Sequence, residues 1–402
     1  MPIVTGSKEE VAPLWDATFG WFLVLFFLFN VGLGVFPPLL PQIMGDLGMT
    51  FAAAGMLGSA FGFFRFLVDL PAGILAERLG IPLMLHGAAG LLLTGTALSA
   101  WADGFWVMFA ARALLGAGSG VAMVIAILYL MRRGAAGQRN RRANLYEASV
   151  IAGMAISAEM GGLIASRWSW RWSFGVAAVV FVLACAVVTW GVLPGIGDLM
   201  KEGGQSAAVM HRERSAESAG PTSAIYLLIF GQAFVWGGGI STLLPLFGGE
   251  ALHLTPEVIG RTMAIAFWVE VCLLFPVGWA ADVLGKVRVV VPGFLAMLVG
   301  IICAPLSQGV WSYGVAFAFL VSGMSVWMAA PGLHAERLAG GFRGKAAGLY
   351  RLVTDLGFIA APALVGWLIG QYGFVAGAGP MAVVLIASIL MTLCFLRGRR
   401  PA

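Results

Sequence analysis

Eight charged side chains lie inside long apolar stretches of this 402-residue chain. They are Arg65, Asp69, Arg112, Glu147, Glu159, Glu270, Arg351 and Asp355. Arg65 and Asp69 are four residues apart, as are Arg351 and Asp355, which places each couple on one face of a helix. Carboxylates in such surroundings can hold and release protons, and arginines can hold carboxylates. Because an unpaired charge in a bilayer costs about 2.5–3.5 kcal/mol, the pattern requires that these charges be paired or lie in a water-filled cavity.

The elements that must position these residues are membrane-spanning helices. Hydrophobic residues make up 60% of the chain, charged residues only 11%, and the mean hydropathy is +0.92. A water-soluble domain is about 25% charged. Apolar stretches long enough for a span of about 20 residues recur along the chain. The sequence predicts an all-α integral membrane protein of twelve helices, with the lipid bilayer as its main partner.

Lysine and arginine set the predicted orientation. Most of the 24 basic residues fall on one face of the membrane, which we call the basic face, while Arg167, Arg171 and Arg261 fall on the other. Basic loops stay in the cytoplasm. Both termini are therefore predicted to be cytoplasmic in a bacterial-type inner membrane, and no removed signal peptide is expected. The net charge of +5 reflects this topology and gives no reason to expect a nucleic-acid partner.

The chain divides into two similar halves. We predict a first bundle of six helices at 1–194, a cytoplasmic linker at 195–221 and a second bundle at 222–402. Leu40-Pro41 recurs as Leu244-Pro245, and Leu145-Tyr146 recurs as Leu349-Tyr350, at an offset of about 204 residues. Such internal repeats are typical of secondary transporters, whose binding site lies between the halves near mid-membrane.

A conspicuous motif follows the second span. The segment from Asp69 to Gly80 reads DLPAGILAERLG and contains Gly73, Glu77 and Arg78. It resembles the loop 2–3 signature of the major facilitator superfamily, D-x3-G-x3-[DE]-R-x-G. We expect Gly73 to let two helix ends approach closely and Gly80 to adopt a positive φ. Glu77 and Arg78 are expected to pair across the contact between the halves.

Three further segments carry the same resemblance. A weaker copy of the signature follows span eight and contains Asp282, with Leu274 in place of the leading aspartate. Arg112 opens a segment in span four that is similar to the family's R-x3-G-x-G. Residues 153–162 in span five resemble the family's antiporter motif, with Ser157 and Ala158 in place of its Gly-Pro pair. The resemblance implies that spans 1, 4, 7 and 10 line a cavity and spans 2, 5, 8 and 11 join the halves.

In that arrangement spans two and eleven are antiparallel neighbours. Asp69 then lies at the depth of Arg351, and Arg65 lies at the depth of Asp355. We predict a crossed cluster of four charges that closes the cytoplasmic gate when the protein faces outward. The alternative is that each couple pairs within its own helix.

Four carboxylates are candidates for proton coupling: Glu147, Glu159, Glu270 and Asp355. Glu147 and Glu270 lie at similar depths on spans five and eight, where two facing carboxylates are not both ionised. The alternative is that Glu147 reaches the lipid headgroups. Glu159 and Arg112 lie at similar depths on spans five and four. They are predicted to pair, either as a proton-controlled switch or as a permanent structural pair.

The predicted cavity helices carry few hydrogen-bonding groups and many aromatic ones. The candidate substrate-binding residues are Asn30, Arg112, Tyr129, Gln232, Trp236 and Trp327. Such a lining favours an amphipathic ligand over a sugar. The alternative for each of these side chains is a position facing lipid or packed between helices.

These features together predict a monomeric, proton-coupled secondary transporter that exports an amphipathic small molecule by alternating access. The alternatives are uptake or flipping of a metabolite, lysolipid or siderophore-like ligand, and a membrane sensor that transports nothing. No metal-ligand spacing and no phosphate loop occurs in the sequence. We therefore expect no enzymatic activity, no metal and no cofactor apart from the proton gradient.

Overall fold

The computed structural model describes residues 15–132, 136–195, 222–327, 329 and 344–395. Within this part of the chain, eleven helices are long and apolar enough to cross a membrane, and a shorter apolar helix, Val310–Met324, supplies the remaining span. The spans are α1 (Ala17–Asp46), α2 (Phe51–Asp69), α3 (Arg78–Ala100), α4 (Phe105–Leu130), α5 (Arg141–Arg167), α6 (Trp170–Gly195), α7 (Ser223–Ala251), α8 (Pro256–Leu284), α9 (Lys286–Leu306), α10 (Val310–Met324), α11 (Leu349–Tyr372) and α12 (Phe374–Cys394). The predicted all-α membrane fold is confirmed, whereas the domain boundaries and the linker 195–221, nearly all of which lies outside the described residues, stay predictions.

The backbone repeats the same local geometry in both halves, at an offset close to that of the sequence repeat. Gly48 and His253 both have positive φ, 60° and 52°, just before α2 and α8. Thr50 and Thr255 then cap these helices, each hydroxyl accepting a backbone N–H three residues on. Gly80 has φ 80°, as expected from its sequence, at the kink where the chain turns from the second span into α3, and Gly285 has φ 89° where it turns from α8 into α9. These paired turns support a duplicated architecture.

Helices α1 and α7 are irregular near their middles. A turn after Leu33 interrupts α1, and α7 contains the π-helical segments Trp236–Leu243 and Phe247–Ala251. The glycines at these points are closely packed: a Cβ on Gly32 would collide with the Phe181 ring. Wide helical turns of this kind are frequent at functional sites because they re-aim side chains.

Two antiparallel pairs join the halves, α2 with α11 and α5 with α8. Near the membrane face opposite the basic face, small residues let the paired helices pack closely against each other. A Cβ on Gly162 would collide with the Pro256 carbonyl, and one on Gly55 would collide with the Pro362 carbonyl. Towards the basic face, Arg351 of α11 bonds Asp69 of α2. Since the contacts run along most of each pair, the two pairs together hold the halves around a central cavity.

Candidate functional site

A cavity of about 200 Å³ lies between the halves. Residues of α1, α2, α3, α4, α5, α7, α8 and α11 line it, together with Trp327, which follows the end of α10. Its charged residues are Arg65, Arg112, Glu147 and Glu270, and its polar residues include Asn30, Tyr146 and Ser241. Its aromatic wall comprises Phe26, Phe29, Phe36, Phe61, Trp236, Phe267, Trp327 and Phe358. The cavity is thus largely apolar, with a few charges at defined points.

The α2–α11 contact holds two ion pairs that cross between the helices. Arg65 Nη2 lies 3.1 Å from Asp355 Oδ1, and Asp355 is fully buried. Arg351 Nε donates to Asp69 Oδ2 at 2.7 Å, and its Nη2 contacts the same oxygen. Pairing within each helix is absent among the ion pairs of the described residues. The crossed arrangement is confirmed, while its role as a gate stays a prediction.

The remaining residues of the loop signature contribute less to this contact. Among the described residues no atom lies within 4 Å of a Cβ built on Gly73, so the close approach of two helix ends there stays a prediction. The helical backbone continues through Gly73, which is partly buried. Arg78 and Asp282 are exposed, and the Glu77 side chain lies outside the described residues. Their pairing across the halves stays a prediction.

The α5–α8 contact places two carboxylates on the cavity. Glu147 and Glu270 both line it, so Glu147 does not reach out to the lipid headgroups. Glu270 is only 1% exposed, and its Oε2 atom has no hydrogen-bond partner among the described residues. None of the ion pairs in the described part of the chain involves either residue.

The predicted pair between Arg112 and Glu159 is wrong. The Arg112 guanidinium lies 3.9 Å from the centre of the Phe36 ring and 4.7 Å from that of Phe61. Glu159 has a half-exposed side chain, with Arg261 Nε 3.9 Å away. Arg112 and Glu159 lie at similar depths, but depth does not determine which way a side chain points around its helix. At about 100° per residue, Glu159 lies roughly a third of a turn around α5 from the cavity-facing Glu147.

Four of the six predicted substrate-binding residues line the cavity: Asn30, Arg112, Trp236 and Trp327. Tyr129 does not, because its ring stacks on Phe22 at 4.2 Å inside the first half. Gln232 does not either; it is 2% exposed and lies one turn from Trp236 towards the basic face, beyond the lining. Both predictions are corrected, since each helix reaches the cavity over only part of its length.

Several lining aromatics were missed at the sequence level. Phe36 and Phe61 cover the Arg112 guanidinium. Phe267 faces the cavity three residues before Glu270, and its ring stacks near-parallel to Trp236 with centroids 6.0 Å apart. The helical spacing between Phe267 and Glu270 is the signal that identifies Phe267, because residues three apart share a helix face.

The fold and the cavity between two similar halves define a multi-pass membrane transporter, not an enzyme. The Major Facilitator Superfamily model matches residues 22–250 and 222–402, so the chain belongs to this family.

Its relatives include the inner membrane transport protein YajR of Escherichia coli. That protein is 26% identical over 89% of this chain and 79% of its own length. Multidrug resistance protein 2 of Bacillus subtilis is 24% identical over 85% of this chain and 86% of its own. The crystal structure of a D-xylose-proton symporter shares the fold, with a TM-score of 0.71 at 14% identity over 96% of this chain and 99% of that one.

Proposed function

We propose that this protein is a proton-coupled transporter that exports an amphipathic small molecule by alternating access. It works as a monomer in an inner membrane, with both termini in the cytoplasm and the proton gradient as its energy source. Two relatives bear names that agree with parts of this proposal, an inner membrane transport protein and a multidrug resistance protein. The mostly aromatic cavity supports an amphipathic substrate.

The observation that carries the proposal is the carboxylate pair Glu147 and Glu270. The two residues come from opposite halves, line one cavity and have no cationic partner among the described residues. Two nearby carboxylates in apolar surroundings repel each other unless they share a proton. A movement of the halves separates them and changes their access to water. Proton binding is thereby linked to the conformation of the transporter.

The crossed ion pairs supply the second part of the mechanism. Opening the basic face by separating α2 from α11 requires both Arg65–Asp355 and Asp69–Arg351 to break. Buried opposite charges attract strongly, and each loses its partner when the helices part. The cluster therefore favours closure of the basic face. Binding of a proton or a substrate in the cavity has to offset the free-energy cost of breaking the ion pairs when this face opens.

Flux in proteoliposomes tests this function. Purified full-length protein is reconstituted with a pH-sensitive dye inside and challenged with rhodamine 6G, chloramphenicol and cholate, which are cationic, neutral and anionic amphiphiles. We expect at least one compound to dissipate an imposed pH gradient in the wild type. Glu270→Gln should abolish this coupling, whereas the matched change Glu159→Gln outside the cavity should retain it.

The outcomes separate the rival functions. Coupled flux that persists in the Glu147→Gln/Glu270→Gln double variant would remove these residues from coupling. Movement of the compound in the same direction as the proton, rather than in the opposite direction, would indicate uptake. Binding of a compound without any flux would indicate a sensor.

A further inference from the structure

We propose that the cavity selects an organic monocation: a small ammonium-type group attached to an aromatic or branched apolar body. Glu270 supplies the counter-charge, and Trp236, Phe267 and Trp327 supply the surface against which the cation lies. This inference rests on the proposed transport function and names the charge class of its substrate.

The position of Glu270 is the first reason. Met263, Phe267 and Glu270 are spaced along one face of α8, and all three line the cavity. Glu270 is 1% exposed, and its Oε2 accepts no hydrogen bond from the described residues. A buried acceptor without a donor is costly, so this cavity-lining oxygen favours a group that donates to it or carries positive charge. A cation can compensate the Glu270 carboxylate, and so can the coupled proton. The cation and the proton therefore compete for this carboxylate.

The aromatic wall is the second reason. The Phe267 and Trp236 rings stack with an interplanar angle of 24°, and the Trp236 and Trp327 centroids are 6.3 Å apart. Aromatic faces attract cations, indole most strongly, and quaternary ammonium groups are recognised this way. A wall of two indoles and a phenyl beside a carboxylate therefore presents negative potential from two independent sources.

The cavity's own cations are already held elsewhere. Arg65 is bonded to Asp355, and its guanidinium lies 4.6 Å from the Phe358 ring centre. Arg112 is covered by Phe36 and Phe61, and its Nε lies 3.4 Å from the Leu57 carbonyl. An anionic substrate would bring a further negative charge towards Glu147 and Glu270. A neutral one would leave the charge of Glu270 uncompensated.

Three ligands of nearly one shape test the charge preference. Phenyltrimethylammonium and tert-butylbenzene have the same outline and differ in charge, and benzenesulfonate is the anion of similar size. The cavity of about 200 Å³ suits ligands this small. Their binding to the purified full-length protein in detergent is measured by calorimetry and by tryptophan fluorescence. We expect the cation to bind at least about tenfold more tightly than tert-butylbenzene.

Substitutions test which residues give the cavity its preference for the cation. Glu270→Gln should reduce the cation's advantage to about twofold or less, while Glu270→Asp keeps part of it and Glu159→Gln keeps all of it. Phe267→Leu should weaken binding of the cation several-fold and binding of tert-butylbenzene by less. Size-exclusion elution of each variant as one symmetric peak shows that it is folded; if Glu270→Gln fails this check, Glu270→Asp and Phe267→Leu decide.

The proposal is overturned if tert-butylbenzene binds as tightly as the cation, or if benzenesulfonate binds best and depends on Arg112. It is also overturned if the cation's advantage survives Glu270→Gln. Because no proton gradient is present in detergent, these results are independent of transport. Coupled flux of a neutral compound without cation preference would reject this inference and keep the proposed function; cation selectivity without coupled flux would do the reverse.

Discussion

The α2–α11 and α5–α8 contacts are the same contact built twice, with different charges. At the repeat offset of about 204 residues, Arg351 of α11 corresponds to Glu147 of α5, and Arg65 of α2 corresponds to Glu270 of α8. The α2–α11 contact sets two arginines against two aspartates in crossed pairs. At the corresponding positions the α5–α8 contact has two glutamates on the cavity, and neither is in an ion pair among the described residues; Arg261 of α8 lies beside Glu159 and Glu257 instead.

The difference continues at the partner positions. Where α11 has Asp355, α5 has the buried Ile151, and where α2 has Asp69, α8 has the buried Leu274. The charges of the α2–α11 cluster are therefore balanced by its own residues, whereas the two cavity carboxylates of the α5–α8 contact have no such partner among the described residues and are balanced by what enters the cavity. We infer that duplication gave one contact that holds the halves together and one that responds to a proton or a cation.

The largest expected effect comes from breaking the balanced contact. Asp69→Arg or Arg351→Asp alone leaves like charges together at bilayer depth, and removing one partner of a buried pair costs about 3–5 kcal/mol. We expect each single variant to lose at least about 95% of coupled flux, which corresponds to roughly 2 kcal/mol or more. The double reversal should restore most of it. Flux in proteoliposomes, normalised to reconstituted protein, checks this, and absence of rescue would show that the two side chains do not act as a pair.

The next largest effect is expected from adding a positive charge beside Glu270 in the α5–α8 contact. Ile151 and Glu270 line the same cavity, and Ile151 occupies the position that Asp355 has in the other contact. Ile151→Lys should therefore give Glu270 a permanent cation. We expect loss of coupled flux by about tenfold or more, since the ion pair opposes proton binding. Ile151→Met is the matched control, and equal flux in the Lys and Met variants would contradict the idea.

A smaller effect distinguishes the two contacts by stability. Asp355→Asn removes one half of the Arg65 pair and should destabilise the protein by about 3 kcal/mol. Glu270→Gln removes a carboxylate that has no partner among the described residues, so stability should stay within about 1 kcal/mol of the wild type or rise. Thermal unfolding in detergent, followed by tryptophan fluorescence, gives both values. Equal destabilisation by the two substitutions would mean that Glu270 is balanced by a group outside the described residues.

The ion-pair contact could be predicted from sequence and the cavity only in part, for a geometric reason. Depth along an antiparallel pair follows from residue number, so Asp69 with Arg351 and Arg65 with Asp355 could be matched once α2 and α11 were taken as neighbours. Direction around a helix also depends on which helices pack beside it. That information was missing for Arg112, whose partners are two phenyl rings instead of Glu159. Tyr129 and Gln232 were misplaced for a different reason, because each helix reaches the cavity over only part of its length.

The smallest expected effect tests that correction. The Glu159 side chain is 52% exposed, and its contact with Arg261 is a long 3.9 Å. Exposed ion pairs contribute about 0–1 kcal/mol, and Arg261 keeps its bond of 2.7 Å to Glu257. Glu159→Gln should therefore change stability by less than about 0.5 kcal/mol and coupled flux by less than about twofold. A loss of flux as large as that of Glu270→Gln would mean that α5 turns Glu159 towards Arg112 in another state of the cycle, and that both faces of α5, not one, take part in coupling.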